Sequence, residues 1–319
     1  MNRYKAAFQR LYGALDYVCE KYNKKKAYFL FDALKCRIRY GITPNEYMGF
    51  GFYAKSKVER AMFYTERHTH KFEKLLNKEE YADLFWDKQK FNKRFADYIS
   101  RKWLYVAEAT KEEVEEFLVN CNKVIVKPTS LSSGRGIHLY NGETYEQLKE
   151  ADALIEEFVE QVDELATLNP SSVNTIRIYT ILDENNVPFI LSAALRVGAK
   201  GSCVDNFHNG GVGYPIDVEH GIISGAGYDI SGKEYLYHPG TDVKAIGFEI
   251  PRWDEVKQFI FKACLEIPES RLIAWDVAVT KKGLEMIEGN YKGDAGFMQA
   301  PAKKGKLREI KKYGKVKKK

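Results

Sequence analysis

Helical periodicity runs through residues 1 to about 85. Phe8, Leu11, Leu15 and Val18 recur every three or four positions, a second apolar set occupies Ala27–Ile38, and Ser56 to Leu76 carries a third. Such spacing predicts helices that each bury one face. Thr43-Pro44-Asn45 interrupts the pattern and can start a short helix. From Asp87 onward, short helices alternate with short strands. Asp87 is placed as the N-cap or first-turn acid of a helix reaching about Ser100. A strand over Trp103–Val106, a helix over Thr110–Val119 and a β-branched strand over Lys123–Val126 follow. Beyond them come a strand over Ile137–Tyr140, a helix over Tyr145–Ala151 and a strand from Ala153 that ends in Glu156, Glu157 and Phe158. Asn174–Leu182 and Pro188–Val197 are apolar strands around an Asp183-Glu184-Asn185-Asn186 turn, Asp217–Gly240 is a turn-rich insertion, and Trp253–Leu265 is an amphipathic helix. The alternation is that of an α/β chain: a helical N-terminal region followed by α+β lobes.

The most informative stretch is Arg271–Asn290, two apolar runs joined by Lys281-Lys282-Gly283. A three-residue hairpin loop needs a left-handed residue in last place, where Gly283 stands. Thr280 then pairs with Leu284, Asp276 lies opposite Glu288, and Asn290 shares their face one step along. A two-residue loop would flip this register and separate the side chains. Two carboxylates brought together in an apolar sheet repel and resist ionising. A Mg²⁺ ion bridged to substrate phosphates relieves that strain and takes oxygen ligands of this sort. The other reading is a surface hairpin with ordinary charges.

Composition changes the picture in few places. The chain has 319 residues, enough for two or three subdomains. Its five cysteines (19, 36, 121, 203 and 264) are scattered and lack paired spacing, which predicts reduced thiols in a cytoplasmic protein. The N-terminus is polar and charged, unlike a signal peptide, and no apolar run approaches the ~20 residues of a spanning helix. Net charge is +6, but Lys303–Lys319 holds ten Lys or Arg against one acid, Glu309, so the body is near neutral and nucleic acid is not indicated. This tail reads as disordered. It suits solubility or contact with anionic lipid at the inner face of the membrane. Two patterns are discounted. Gly49-Phe50-Gly51-Phe52-Tyr53-Ala54 matches a dinucleotide fingerprint but lacks a preceding strand. His68 and His70, two apart on a helix, do not share a face.

A second informative stretch is Val124-Ile125-Val126-Lys127-Pro128, followed by a loop of serines and glycines to Gly136. Such a loop can present backbone N–H groups and hydroxyls to phosphate oxygens, with Lys127 as a point charge at its base; a plain hairpin is the alternative. The strand edge at Glu156–Phe158 can offer a carbonyl and an N–H to an adenine, with the Glu156 carboxylate accepting from its exocyclic amine, or it can be a charged edge that deters pairing. Arg177 and Arg196 sit among apolar residues, where charge is costly unless paired or facing a site. The polar loop Asp205–Gly213 carries Asn206 and His208, candidates to contact an acceptor or stabilise a transferred group. His208 is either a base or a solvated loop histidine.

Lys127-Pro128 with its Gly/Ser loop, Ile155–Val159 and Asp276…Glu288-x-Asn290, in that order, resemble the ATP-grasp superfamily. Ser171–Arg177 and Asp205–Gly211 resemble its sugar-transfer-associated branch. The resemblance implies two lobes clamping ATP: residues 86–152 and 153–300, after the helical region 1–85 and before a basic tail, 301–319. It implies that Lys88 and Lys127 hold α- and β-phosphate oxygens, and that Ser132, Ser133, Gly134 and Gly136 form a lid. Glu156, Glu157 and the Phe158 backbone would border adenine. Asp163 or Glu164 would take the ribose hydroxyls, and Asp276, Glu288 and Asn290 would ligate Mg²⁺. Arg177 resembles the arginine of a strand in the peptide-adding ligases, and Arg196 would meet the γ-phosphate or an acyl phosphate; for each the alternative is a structural ion pair. The activity implied is an ATP-dependent ligase joining a carboxylate to an amine or hydroxyl, on a sugar, sugar acid or glycan precursor. A phosphotransferase and a non-catalytic nucleotide-binding protein are the alternatives.

Overall fold

The computed structural model describes residues 3–129, 136–199, 201–202, 205 and 210–315, with the side chains of 3–8 and 10 outside that description. The N-terminal part is helical: α1 (Arg3–Tyr22), α2 (Lys26–Tyr40), α3 (Pro44–Gly49), α4 (Lys57–Arg60) and α5 (Glu66–Leu76). The continuous helix expected over Ser56–Leu76 is broken in two. Ser56 caps α4 in a reciprocal box with Glu59, Thr65 caps α5, and Phe63 and Tyr64 between them are drawn into the interior. Leu11, Leu15, Val18, Phe29, Phe50 and Phe52 form the core of this unit. The discounted dinucleotide pattern is thus a packed turn. His68 turns its Nδ1 to the Thr65 N–H, 3.2 Å away, and His70 is exposed. Gly41, at φ +70°, ends α2, and the Arg67 guanidinium satisfies the last carbonyls, those of Ile38 at 2.7 Å and Arg39 at 2.8 Å.

Helices α6 (Ala82–Trp86) and α7 (Lys88–Arg94) lead into a four-stranded antiparallel sheet. Its strands are β1 (Trp103–Tyr105), β2 (Val124–Pro128), β3 (His138–Leu139) and β4 (Ala153–Glu157), in the order β1-β4-β2-β3. Helices α8 (Lys111–Asn120) and α9 (Tyr145–Glu150) cover it with Val114 and Leu148.

A larger antiparallel sheet follows α10 (Asp163–Ala166). It contains β5 (Ile176–Leu182), β6 (Pro188–Val197), β7 (Val212–Ile216), β8 (Gly227–Tyr228), β9 (Glu234–Tyr235), β10 (Leu272–Thr280) and β11 (Gly283–Asn290), in the order β11-β10-β5-β6-β7-β8-β9. The central strands read as continuous apolar runs because both faces are buried. Helix α11 (Trp253–Leu265) covers one through Trp253, Val256 and Ile260. On the other, α12 (Ala295–Gln299) and α13 (Leu307–Tyr313) contribute Phe297, Leu307 and Ile310.

Helix α13 corrects the reading of the tail as disordered. Leu307, Ile310 and Tyr313 recur among the lysines at a three-residue step, so one side of the helix is apolar. Tyr313 stacks on Phe189 with ring centroids 4.0 Å apart, and Arg271 donates to the carbonyls of Tyr313 and Lys315 at 3.0 Å each.

Candidate active site

The β10–β11 hairpin sets the site, by a route the sequence did not suggest. Thr280 pairs with Gly283, so the loop has two residues and not three. That register runs to Val277↔Met286, and Ile287 is then bulged out of the ladder. The bulge restores the pairing Asp276↔Glu288 that the longer loop would have produced. Gly283 lies in the strand at φ +144° instead of closing the loop. The Asn290 amide donates to Glu288 Oε1 at 3.0 Å, so both side chains share a face. Between them, Gly289 lets another element approach. A Cβ there would lie 2.7 Å from Phe91 and 2.9 Å from Phe85, so its absence seats α6 and α7 on β11.

Asp276 is 3% exposed and opposite Arg177 on β5. Arg177 grips it with Nε and with Nη2 at 2.8 Å, and Arg196 adds a bond from Nη1 at 2.6 Å. Burial alone would raise the Asp276 carboxyl, but the two guanidiniums outweigh it and hold it at about 2. Both its oxygens accept from these guanidiniums. Arg196 also holds Asp205 at 3.0 Å, and Asp205 in turn accepts from the Thr175 N–H at 3.0 Å and from its hydroxyl. The buried Arg196 Nε has no acceptor among the described residues. Glu288 differs from Asp276. Its side chain is 50% exposed, Arg177 is 3.7 Å away, and crowding by the surrounding protein together with Asp276 holds its carboxyl above the ordinary range.

The four-stranded sheet brings the lysines. Lys88, at the start of α7 behind the Asp87 cap, donates to the carbonyls of Pro128 at 3.2 Å and Thr129 at 3.4 Å, where the Ser/Gly loop begins. Burial and the nearby Lys127 depress its ammonium, and Glu288 acts against them. Lys127 binds Glu156. The Glu156 carboxylate is buried and accepts from Arg101 Nε at 2.7 Å and from Asn92 at 3.3 Å. It is turned inward onto these cations, where an unpaired carboxylate would be costly. Arg177 and Arg196 likewise make ion pairs, both with Asp276.

Arg101 gave no sequence signal, since it lies between helix and strand where no periodicity applies. It is 6% exposed and joins the two sheets. One side holds Glu156, and Nη1 holds Glu285 of β11 at 2.7 Å and the Met286 carbonyl, beside the bulge, at 2.6 Å. Asp205 was visible only as part of a polar loop.

The remaining expected residues lie around this centre or outside the described residues. Glu157 pairs with Lys282 at 2.7 Å, and the exposed Asp163 with Lys281 at 3.0 Å, so the hairpin tip touches the segment after β4. Glu164 is exposed on α10. The Phe158 N–H donates to the Lys123 carbonyl at 2.8 Å, and its ring lies 3.6 Å from the Lys123 ammonium. Gly136, at φ +71°, leads into β3. Ser132, Ser133, Gly134, Asn206 and His208 lie outside the described residues.

Among the described residues no three His, Cys, Asp or Glu side chains are grouped to hold a metal ion. Mg²⁺ bound through substrate phosphates and water needs only one or two protein carboxylates. Glu288, half exposed and burdened by Asp276, fits that need, with the Asn290 amide oxygen beside it. Lysines on one side, a surplus carboxylate on the other and an unpartnered guanidinium N–H suit a polyanion that arrives with a cation.

A family model described as sugar-transfer associated ATP-grasp matches residues 146–315. No curated protein matches the chain. Solved structures with similar folds include the ATP-grasp ligase PsnB complexed with a phosphomimetic variant of its minimal precursor, Mg and ADP, at 13% identity over 75% of this chain and 61% of that one, TM-score 0.48. N5-carboxyaminoimidazole ribonucleotide synthetase from Thermotoga maritima matches at 9% identity over 65% of this chain and 42% of that one, TM-score 0.38. D-alanyl-alanine synthetase A from Vibrio cholerae matches at 12% identity over 71% of this chain and 66% of that one, TM-score 0.39. The chain thus spans 42–66% of the length of these structures.

Proposed function

The chain belongs to the sugar-transfer associated ATP-grasp family, and from that premise we propose that it is an ATP- and Mg²⁺-dependent ligase. It activates a carboxylate as an acyl phosphate for attack by an amine or hydroxyl, in the assembly of a surface glycan. The observation that carries this reading is the pairing of Asp276 with Glu288, and of Glu288 with Asn290, on one face of the larger sheet, with Lys88 of α7 within the electrostatic reach of both Glu288 and Lys127.

In this reading Lys88 and Lys127 neutralise phosphate oxygens, and their partial burial strengthens that attraction relative to water. Glu288 and Asn290, beside Asp276, would hold Mg²⁺, which when bound offsets the charge of the phosphates. The γ-phosphoryl group passes to a carboxylate oxygen, and ADP leaves. The nucleophile then forms a bond to the acyl carbon as inorganic phosphate departs. Arg196, with Nε unused, and Arg177 would stabilise charge on the transferred group. The four described cysteines, 19, 36, 121 and 264, are free thiols, in keeping with the cytoplasmic setting we propose.

The test is ADP release with a panel of sugar acids and amines. A ligase requires both carboxylate and nucleophile, and Asp276→Asn with Glu288→Gln removes turnover. ADP release with a hydroxyl acceptor alone identifies a phosphotransferase instead. Nucleotide binding without turnover on any pair identifies a sensor and ends the ligase reading.

A further inference from the structure

Helix α2 is apolar on two opposite sides. Phe29, Ala33 and Cys36 face the N-terminal core. Phe31, Leu34 and Ile38 recur at helical steps on the other side and are 60%, 56% and 71% exposed, with Tyr28 one step before them at 53%. A surface helix ordinarily turns its charged residues outward. This one places its bulky apolar side chains next to one another in solvent, and a contiguous patch of that kind marks a contact surface.

The charges bordering the patch are of one sign. Lys24, Lys25, Lys35 and Arg39 are exposed and have no carboxylate partner among the described residues. The Lys24 and Lys35 ammonium groups lie 4.0 and 4.3 Å from the Tyr28 and Phe31 ring centroids. Asp32 pairs with Arg60 at 2.7 Å, Asp16 with Lys26 at 2.7 Å and Glu66 with Arg37 at 2.6 Å, while Glu20, at the end of α1, is exposed. A second copy of the chain would set these cations against their own kind. Lipid phosphates would neutralise them. Long basic side chains lying along apolar neighbours can reach the headgroup level while those neighbours enter the acyl boundary, and tyrosine favours that boundary.

We propose that the outer face of α2 docks in the plane of an anionic lipid bilayer, with Phe31, Leu34 and Ile38 inserted and Lys24, Lys25, Lys35 and Arg39 at the phosphates. The surface is separate from the lysine-rich C-terminal segment, whose α13 packs on the larger sheet. It does not depend on the ligase reading, since α2 belongs to the N-terminal core and not to either sheet.

Co-sedimentation of the full chain with vesicles tests it. The protein pellets with mixed phosphatidylglycerol and phosphatidylcholine but not with phosphatidylcholine alone, and raising salt from about 0.1 to about 0.5 M weakens binding. Phe31→Ser/Leu34→Ser/Ile38→Ser lowers the partition coefficient by roughly tenfold or more. These side chains are exposed, so the melting midpoint does not fall. Lys24→Glu/Lys35→Glu gives a loss of the same order by charge alone, and truncation after Lys315 leaves binding unchanged. The proposal is overturned by a wild type that does not pellet with the mixed vesicles, by a triple variant that binds as wild type, or by loss of binding on truncation. It also fails if the wild type is a dimer in sedimentation velocity that the triple variant dissociates, with no vesicle binding by either.

Discussion

Two groups of buried charge lie close together in this protein, and they are built on different plans. Around Arg101, two cations and two carboxylates balance: Arg101 and Lys127 against Glu156 and Glu285, each side chain at most 15% exposed. Around Asp276, Arg177 and Arg196 face three carboxylates, Asp205, Asp276 and Glu288, and Glu288 is half open to solvent. The first group is closed and neutral, and its Arg101 ties the two sheets together. In the second, Glu288 stands on the open side, 3.7 Å from Arg177 and within the field of Lys88, where it can take up a cation. Access, more than the presence of buried ions, separates a brace from a site.

The contrast breaks most sharply at Arg101. Arg101→Met leaves Glu156 and Glu285 buried without their shared partner and should cost about 3–5 kcal/mol in urea unfolding. Adding Glu156→Gln and Glu285→Gln should return much of that loss; if it does not, the group is more than a balanced brace. Next in size is Gly289→Ala, whose methyl would press on Phe85 and Phe91. It should destabilise by up to about 3 kcal/mol and weaken nucleotide binding in calorimetry, because α7 carries Lys88. Third is the acid limb of stability. Asp276 has a folded pKa of about 2, below its ordinary 3.8. Its contribution of about 2 kcal/mol is therefore present above pH ~4 and lost as pH falls toward 2. Comparing acid titrations of stability for wild type and Asp276→Asn, that limb should be shallower in the variant. The smallest effect belongs to Lys282→Ala, which removes an exposed ion pair with Glu157. The melting midpoint should not move measurably, and a clear fall would mean that the hairpin tip braces the sheets as Arg101 does.

The sequence carried the strands well because the central ones are covered on both faces and read as unbroken apolar runs; Pro188–Val197 and Trp253–Leu265 have the ends their patterns predict. The facing of Asp276 and Glu288 was legible as well, though through a compensation that periodicity does not reveal. Arg101 was hidden because an irregular segment has no period to violate. The docking of α13 was hidden because abundant lysines outweigh three apolar residues in any average, although those three share one side. The outer patch of α2 escaped for a related reason: apolar side chains on two opposite sides of a helix leave little asymmetry to detect.

The bulge at Ile287 has a consequence for how this hairpin can change. A tip one residue shorter and a strand one residue longer cancel, so what reaches the site is the parity of the count between Asp276 and Glu288. A lone insertion or deletion there sends one acid to the back of the sheet. Two changes of opposite sense leave the facing pair untouched, and the tip can be remodelled without disturbing the chemistry beneath it.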